Sequence, residues 1–162
     1  MIEKPLPGLS ERTLARFADQ VRKAVKLRGR VNVLLTSSRE LRALNRCFRG
    51  KDAATDVLSF PALPQVRHEF AGDIVISADL CASNARRYRH PVAQEIKTLV
   101  LHGVLHLAGY DHETDGGQMA RKEERLRAQF GLANGLIRRA SSSRHRPTTD
   151  DRRPTTNRRR AG

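Results

Sequence analysis

Residues 102–112 have the sequence HGVLHLAGYDH. His102 and His106 are four residues apart, so on a helix they lie on one face with Cβ atoms about 6 Å apart, close enough for both rings to bind one metal ion. Gly109 suits the left-handed residue that ends a helix, and the chain reversal there brings His112 back towards the other two. Three histidines with one coordination position left open are typical of a catalytic zinc site.

The helix that carries the first two histidines is expected to span residues 91–108. Pro91 suits the first helical position, and apolar residues surround the second half of the helix, which is therefore expected to be buried. The alternative is an ordinary helix whose histidines have no shared role. For any single histidine, that interpretation would be preferred. Burying two unpaired imidazoles would cost several kcal/mol. Together with the spacing around the glycine, that cost favours the metal site.

The spacing H-x-x-x-H-x-x-G-x-x-H also occurs in metzincin peptidases, with one difference at Gly103. Those enzymes carry a glutamate directly after the first histidine, where it acts as the general base. Glycine has no group that accepts a proton. The sequence therefore predicts a metal site without the base of a peptidase.

Length and charge indicate one domain followed by a basic tail. The chain of 162 residues has a net charge of +14. Residues 138–162 contain nine arginines and two aspartates and are expected to be a disordered tail, whereas residues 1–137 form the domain. Both parts are basic, which favours a nucleic acid partner, although some proteins are simply highly charged.

Other features of the composition concern the compartment. No apolar run is long enough to span a membrane, and the first residues lack the apolar segment of a signal peptide. Cys47 and Cys81 show no pairing pattern, so both are expected to be free, buried thiols. A cytoplasmic protein is the expectation.

Hydrophobic periodicity predicts an α/β (α+β) domain. It is expected to contain a small mixed sheet of about four strands packed with about five helices, with the metal site on a buried central helix. The predicted helices cover residues 10–28, 38–46, 78–89, 91–108 and 118–130. Strands are predicted at residues 31–36, in the second half of residues 47–61 with its end at Pro61, and at 72–77.

Arg49 and Lys51 lie in a segment that is expected to form a polar turn after the second helix. Loops often carry functional residues, so both side chains are candidates for contacting an anion such as an RNA phosphate. A solvated turn is about equally compatible with the composition.

Three segments together resemble the YbeY family of rRNA maturation factors, which are single-domain, metal-dependent endoribonucleases of bacteria. They are FRGKDAATDVLSFP (residues 48–61), AGDIVIS (71–77) and HGVLHLAGYDHE (102–113), and the resemblance extends over residues 8–132. It implies that His102, His106 and His112 hold one Zn²⁺ per chain and that Arg49 is the catalytic arginine. It also implies the arrangement of sheet and helices given above.

The resemblance further implies single-strand cleavage in ribosomal RNA processing, notably at the 3′ end of the small-subunit RNA, and a role in ribosome quality control. The expected partners are ribosomal RNA and the small subunit, together with ribosomal proteins or an assembly GTPase. Phe48 and Ala54 differ from the tyrosine and proline that are common in the family, and the arginine-rich tail is outside the resemblance.

Two other functions are open from the sequence, a non-catalytic ribosome-assembly factor with structural zinc and a metallopeptidase-like hydrolase. The groups that transfer protons are also open. Asp73, Asp111 and Glu113 are candidates, although Asp73 is equally suited to bridging structure and Asp111 to orienting a histidine. The nucleophile is either a water activated by the metal or the 2′-hydroxyl of the RNA itself.

Overall fold

The computed structural model describes residues 9–132, which form an α+β arrangement of five helices and three strands. The predicted boundary at residue 137 and the tail lie outside the described residues. In chain order the elements are α1 (Glu11–Ala24), β1 (Arg30–Thr36), α2 (Ser38–Arg49), β2 (Val57–Pro61), a 3₁₀ turn (Pro64–Val66), β3 (Phe70–Ser77), α3 (Ala78–Tyr88), α4 (Val92–Leu107) and α5 (Gln118–Gln129).

The strands form a mixed sheet in the order β1-β3-β2, with β1 parallel and β2 antiparallel to β3. The mixed sheet is confirmed, but the prediction of four strands is wrong for the described residues. Residues 9–132 form three strands, and the connection between β2 and β3 forms a 3₁₀ turn instead of a fourth strand.

The central strand β3 positions the rest of the domain. Its apolar residues Ile74, Val75 and Ile76 are all buried. Val75 packs with Leu41 of α2 on one side of the sheet, whereas Ile74 and Ile76 belong to the larger core that contains α1, α4 and α5. The helix α4 is therefore enclosed between the sheet and its neighbouring helices, as its apolar sequence predicts.

Close packing of α4 against β3 depends on Gly103. A Cβ atom at this position would lie 2.8 Å from Cγ2 of Ile74 and 3.0 Å from Oγ of Ser59. The main-chain carbonyl of Gly103 also accepts a hydrogen bond from Ser59 at 3.2 Å. The missing side chain thus lets the helix approach the sheet at the residue that follows the first histidine.

Two predicted helix ends are wrong. α1 stops at Ala24 instead of residue 28, because Lys26 has a φ of 57° and cannot continue a right-handed helix. α2 extends to Arg49 instead of residue 46, because Gly50, with φ 64° and ψ 11°, is the residue that supplies its left-handed cap. Arg49 therefore occupies the last turn of a helix and not the polar turn that was expected.

The two cysteines differ in exposure. Both cysteines are free, as expected; Cys81 is buried, but Cys47 is exposed on α2, so the expectation of two buried thiols is half wrong. Cys47 lies near the end of α2, where its neighbours Arg46 and Phe48 are exposed as well. Across residues 9–132, no helix has the length and apolar character needed to cross a membrane.

Candidate metal centre

The structure brings His102, His106 and His112 together at the C-terminal end of α4. Their ring centroids are 4.7 to 5.3 Å apart, and one ligand atom from each lies within 4.8 Å of the others. His102 is buried, His106 is half-buried and His112 is exposed. The cluster therefore starts in the core and opens to the surface, and it could hold one metal ion.

Hydrogen bonds at the outer nitrogens orient the first two rings. Nδ1 of His102 lies 2.9 Å from Oε2 of Glu123 on α5, and both side chains are almost completely buried. Nδ1 of His106 donates to the carbonyl oxygen of Tyr110 at 3.0 Å. A carbonyl oxygen and a carboxylate accept hydrogen bonds, so in the neutral form of each ring these partners place the proton on Nδ1.

This assignment leaves a lone pair on each of the two inner nitrogens. Nε2 of His102 and Nε2 of His106 are 3.1 Å apart. With both ring protons directed outwards, no hydrogen lies between these nitrogens, and two lone pairs at this distance repel each other. A cation bound by both nitrogens relieves the repulsion. A donor set of three imidazoles, two of which have a hydrogen-bonded outer nitrogen, matches the pattern of metal-binding histidines.

The environment also keeps His106 neutral. Burial, together with the neighbouring His102 and His112, lowers the pKa of His106 from 6.5 to about 4. Metal binding needs the unprotonated imidazole, so His106 remains a competent ligand well below neutral pH.

The third histidine is positioned by a turn that follows α4. Gly109 has a φ of 89°, and reverses the chain as the sequence predicts. Beyond it, the Asp111 carboxylate accepts hydrogen bonds from the backbone of Glu113 and the hydroxyl of Thr114, which holds the pKa of Asp111 below its usual value. Asp111 thereby fixes the turn that carries His112.

An open cleft of about 740 Å³ lies over the histidine cluster. Its walls include all three histidines, the segment from Thr55 to Ser59, two residues of α3 and Arg49. Arg49 is exposed and lines the cleft, so it borders the same solvent-filled space as the three histidines. Lys51, the other predicted anion contact, is exposed but does not line the cleft, so the structure brings only one of the two cations to the histidines.

Two of the three acidic candidates for proton transfer lie in the cleft, and the third does not. Asp111 and Glu113 line the cleft beside the histidines. Asp73 instead lies on β3, where it accepts a hydrogen bond from Asn32 of β1 at 3.1 Å, and it does not line the cleft. Asp73 therefore has the bridging role that was its alternative, and the candidates for proton transfer in the cleft are Asp111 and Glu113.

Glu123 is the site residue that the sequence analysis missed. It lies four residues after Met119 and three before Leu126, and all three residues are buried on the inner face of α5. A carboxylate on the apolar face of an amphipathic helix needs a buried partner. The position of Glu123 on the apolar face of α5 was therefore the sequence signal for a buried partner. That partner is His102, the first histidine of the cluster.

Comparisons with known proteins identify the family. A family profile described as Endoribonuclease YbeY matches residues 3–131. The chain belongs to the YbeY family.

Individual YbeY relatives match most of the chain. Endoribonuclease YbeY of Koribacter versatilis is 50% identical over 141 residues, which cover 87% of this chain and 91% of the relative. Endoribonuclease YbeY of Solibacter usitatus is 48% identical over 129 residues, covering 80% and 85%. The solution structure of TM1509 from Thermotoga maritima has 29% identity and a TM-score of 0.53, and the match covers 93% of this chain and all of that one.

Proposed function

We propose that this protein is a zinc-dependent, single-strand-specific endoribonuclease that acts in ribosomal RNA processing. The observation that supports the proposal best is the combination, in a YbeY family member, of a three-histidine cluster with Arg49 in one open cleft. The proposed substrate is the 3′ end of the small-subunit RNA, and the proposed wider role is ribosome quality control in the cytoplasm. Proposed partners are ribosomal RNA and the small subunit, together with ribosomal proteins or an assembly GTPase.

The chain's own residues divide the work of the proposed reaction. His102, His106 and His112 would hold the ion, and three imidazole ligands suit zinc. Glu123 and the Tyr110 carbonyl keep the first two rings in the tautomer that exposes Nε2. When bound, zinc supplies a Lewis acid that polarises phosphate oxygens and activates a nucleophile at neutral pH.

Arg49 is proposed to hold the phosphate. Its guanidinium is permanently charged and offers a planar pair of donors that matches two phosphate oxygens. The side chain is exposed and lines the cleft, so a phosphodiester between it and the histidines is accessible from solvent. Charge that develops on the phosphate oxygens would be stabilised by this guanidinium. Lys51, outside the cleft, is proposed to contact a more distant phosphate.

Proton transfer is proposed to involve Glu113 or Asp111, the two cleft acids that neighbour His112 in the chain. Glu113 is exposed, and its carboxylate has no bond in the turn that Asp111 stabilises. Asp111 uses both carboxylate oxygens to close that turn. Glu113 is therefore the better placed of the two for exchanging a proton with substrate or solvent.

The metallopeptidase alternative is disfavoured by the contacts at Gly103. The base of a peptidase would have to stand at this position, but a Cβ there meets Ile74 and Ser59 of the sheet. A glutamate would be directed against the packed sheet face. The assembly-factor alternative, with structural zinc, is disfavoured by the exposed third histidine and the open cleft, because structural zinc sites are closed by four protein ligands.

One assay separates the three functions. Purified protein, with and without a chelator, is offered a small-subunit RNA precursor with its 3′ extension and, separately, casein. Chelator-sensitive cleavage of the RNA with intact casein is the expected result. Cleavage of casein would support the peptidase, and zinc binding without cleavage of either substrate would support the assembly factor.

A further inference from the structure

One wall of the cleft is formed by α3 through Asn84 and Tyr88. These residues are four apart and so lie on one face of the helix, about one turn from each other. The amide of Asn84 donates to a carboxylate oxygen of Asp56 at 3.2 Å, and Asp56 also lines the cleft. This wall therefore offers a half-buried aromatic ring beside a joined pair of polar side chains.

The Tyr88 ring is held in place by its neighbours. The ring of His90 is almost parallel to it, with an interplanar angle of 7° and centroids 6.4 Å apart. His90 is itself anchored, because its Nε2 lies 3.0 Å from Oε2 of the fully buried Glu95. The guanidinium carbon of Arg87 lies 5.6 Å from the centre of the Tyr88 ring. The Tyr88 ring is thus preorganised, and the guanidinium of Arg87 places a positive charge beside it.

We propose that Tyr88, Arg87, Asn84 and Asp56 form a nucleobase subsite for the RNA strand that occupies the cleft. Bases of single-stranded RNA are recognised by stacking on aromatic rings or guanidinium planes and by hydrogen bonds to their edges. Tyr88, Asn84 and Asp56 supply both kinds of group within the space shared with the histidines. Arg87 is not among the cleft-lining residues but lies beside the Tyr88 ring. The subsite rests on the proposed function, since its ligand is a base of the substrate strand.

The polar pair gives the subsite a base preference. A carboxylate only accepts hydrogen bonds, and one oxygen of Asp56 already receives the amide of Asn84. The remaining capacity of Asp56 favours a base with an exocyclic amino group over uracil, whose edge donor N3–H lies between two carbonyl oxygens that a carboxylate repels. Adenine, cytosine and guanine have such a group and uracil does not.

A purely structural role is the rival explanation of the same contacts. The carbonyl oxygen of Asp56 accepts a hydrogen bond from the backbone of Ser77 at 2.9 Å, which already joins the start of β2 to the end of β3. If the Asp56–Asn84 bond only reinforces this junction, removing it changes thermal stability and leaves RNA binding unchanged. The test therefore measures both quantities.

The experiment uses zinc-loaded protein and oligoribonucleotides with 2-aminopurine at successive positions, because stacking on a side chain quenches the fluorescence of this base. Signals are recorded before the first turnover. In the wild type, one position is expected to be quenched. Tyr88→Leu should remove this quenching and weaken binding about tenfold, as expected for loss of one stacked base. Tyr88→Phe keeps the ring and should therefore keep the quenching at the same position.

Phe48 provides the matched control. It is 65% exposed on α2, does not line the cleft and makes an edge-to-face contact with Phe60. Phe48→Leu should keep the quenching pattern. Quenching that survives Tyr88→Leu, or that is lost equally in Phe48→Leu, would overturn the subsite. If Tyr88→Leu fails to show a cooperative thermal transition, photo-crosslinking of the wild type decides: a base crosslinked to a peptide without Tyr88 overturns the proposal.

A second arm tests the base preference. Wild-type protein should bind an oligonucleotide with adenine at the quenched position more tightly than one with uracil, and Asp56→Asn should remove the difference. An unchanged preference would overturn the role of Asp56. Quenching by a wild type that cleaves no RNA would refute the proposed function and leave the subsite standing, so the two failures are distinguishable.

Discussion

Replacing Glu123 with glutamine is expected to weaken zinc binding about tenfold. The carboxylate of Glu123 lies 2.9 Å from Nδ1 of His102, and the two side chains are 3% and 8% exposed. Mutations of such supporting groups weaken metal affinity by about 10- to 100-fold. Glutamine keeps an acceptor oxygen but loses the charge, so the lower end of this range is expected.

Glu123→Leu should lie at the upper end of the range. It removes the acceptor altogether and leaves the Nδ1 proton of His102 without its partner in a buried site, at a cost of about 1–3 kcal/mol. That cost corresponds to about 5- to 150-fold in affinity, since 1.4 kcal/mol is a factor of ten. The two substitutions thus distinguish the contribution of the acceptor oxygen to zinc affinity from the contribution of the charge.

The assay is competition for zinc with a chromophoric chelator, accompanied by thermal unfolding of the metal-free proteins. Glu124→Gln is the matched control, because Glu124 is the next residue of α5 and is exposed. Its zinc affinity should equal that of the wild type. Zinc affinities within twofold of the wild type for both Glu123 variants would refute the idea that this carboxylate orients a ligand.

Three further predictions concern other parts of the chain. Arg49→Ala should keep zinc and fold but lose RNA cleavage, and Arg49→Lys should recover little of it because lysine lacks the planar fork; steady-state cleavage at subsaturating RNA near the wild-type rate would contradict this role. Gly103→Ala should lower stability by about 1–3 kcal/mol through overpacking against Ile74, as measured by denaturant unfolding, whereas Gly116→Ala, with open space around its Cβ, should be neutral. An equal effect of the two would contradict the packing explanation. Deleting residues 138–162, which carry half of the net charge, should leave cleavage-site choice unchanged, weaken RNA binding and make its salt dependence shallower. Identical salt slopes for the two proteins would mean that the tail is a passive extension.

The histidine cluster was largely predictable because its determinants are local. The four-residue spacing of His102 and His106 follows directly from helix geometry. The reversal at Gly109 required only that a glycine stand where the helix ends, and its φ of 89° confirms that conformation. Burial of α4 followed from its apolar second half.

Features that depend on tertiary contacts were harder to predict. Glu123 is 21 residues from its partner His102, and periodicity does not show which buried residues face each other. The end of α2 was misplaced because the left-handed cap falls at Gly50, and the helix continues through Arg49 up to that glycine. The wall with Asp56 and Asn84 comes from residues 28 apart in the chain, which only the fold brings together.

The central claim is that the three histidines bind the ion on which RNA cleavage depends. Zinc content and cleavage of the small-subunit RNA precursor should be measured together on the wild type, His106→Ala and, as a control, His68→Ala, whose exposed side chain lies outside the cluster. The wild type and His68→Ala should contain one zinc per chain and cleave the RNA, and His106→Ala should do neither. Full zinc occupancy and cleavage by His106→Ala would contradict the account.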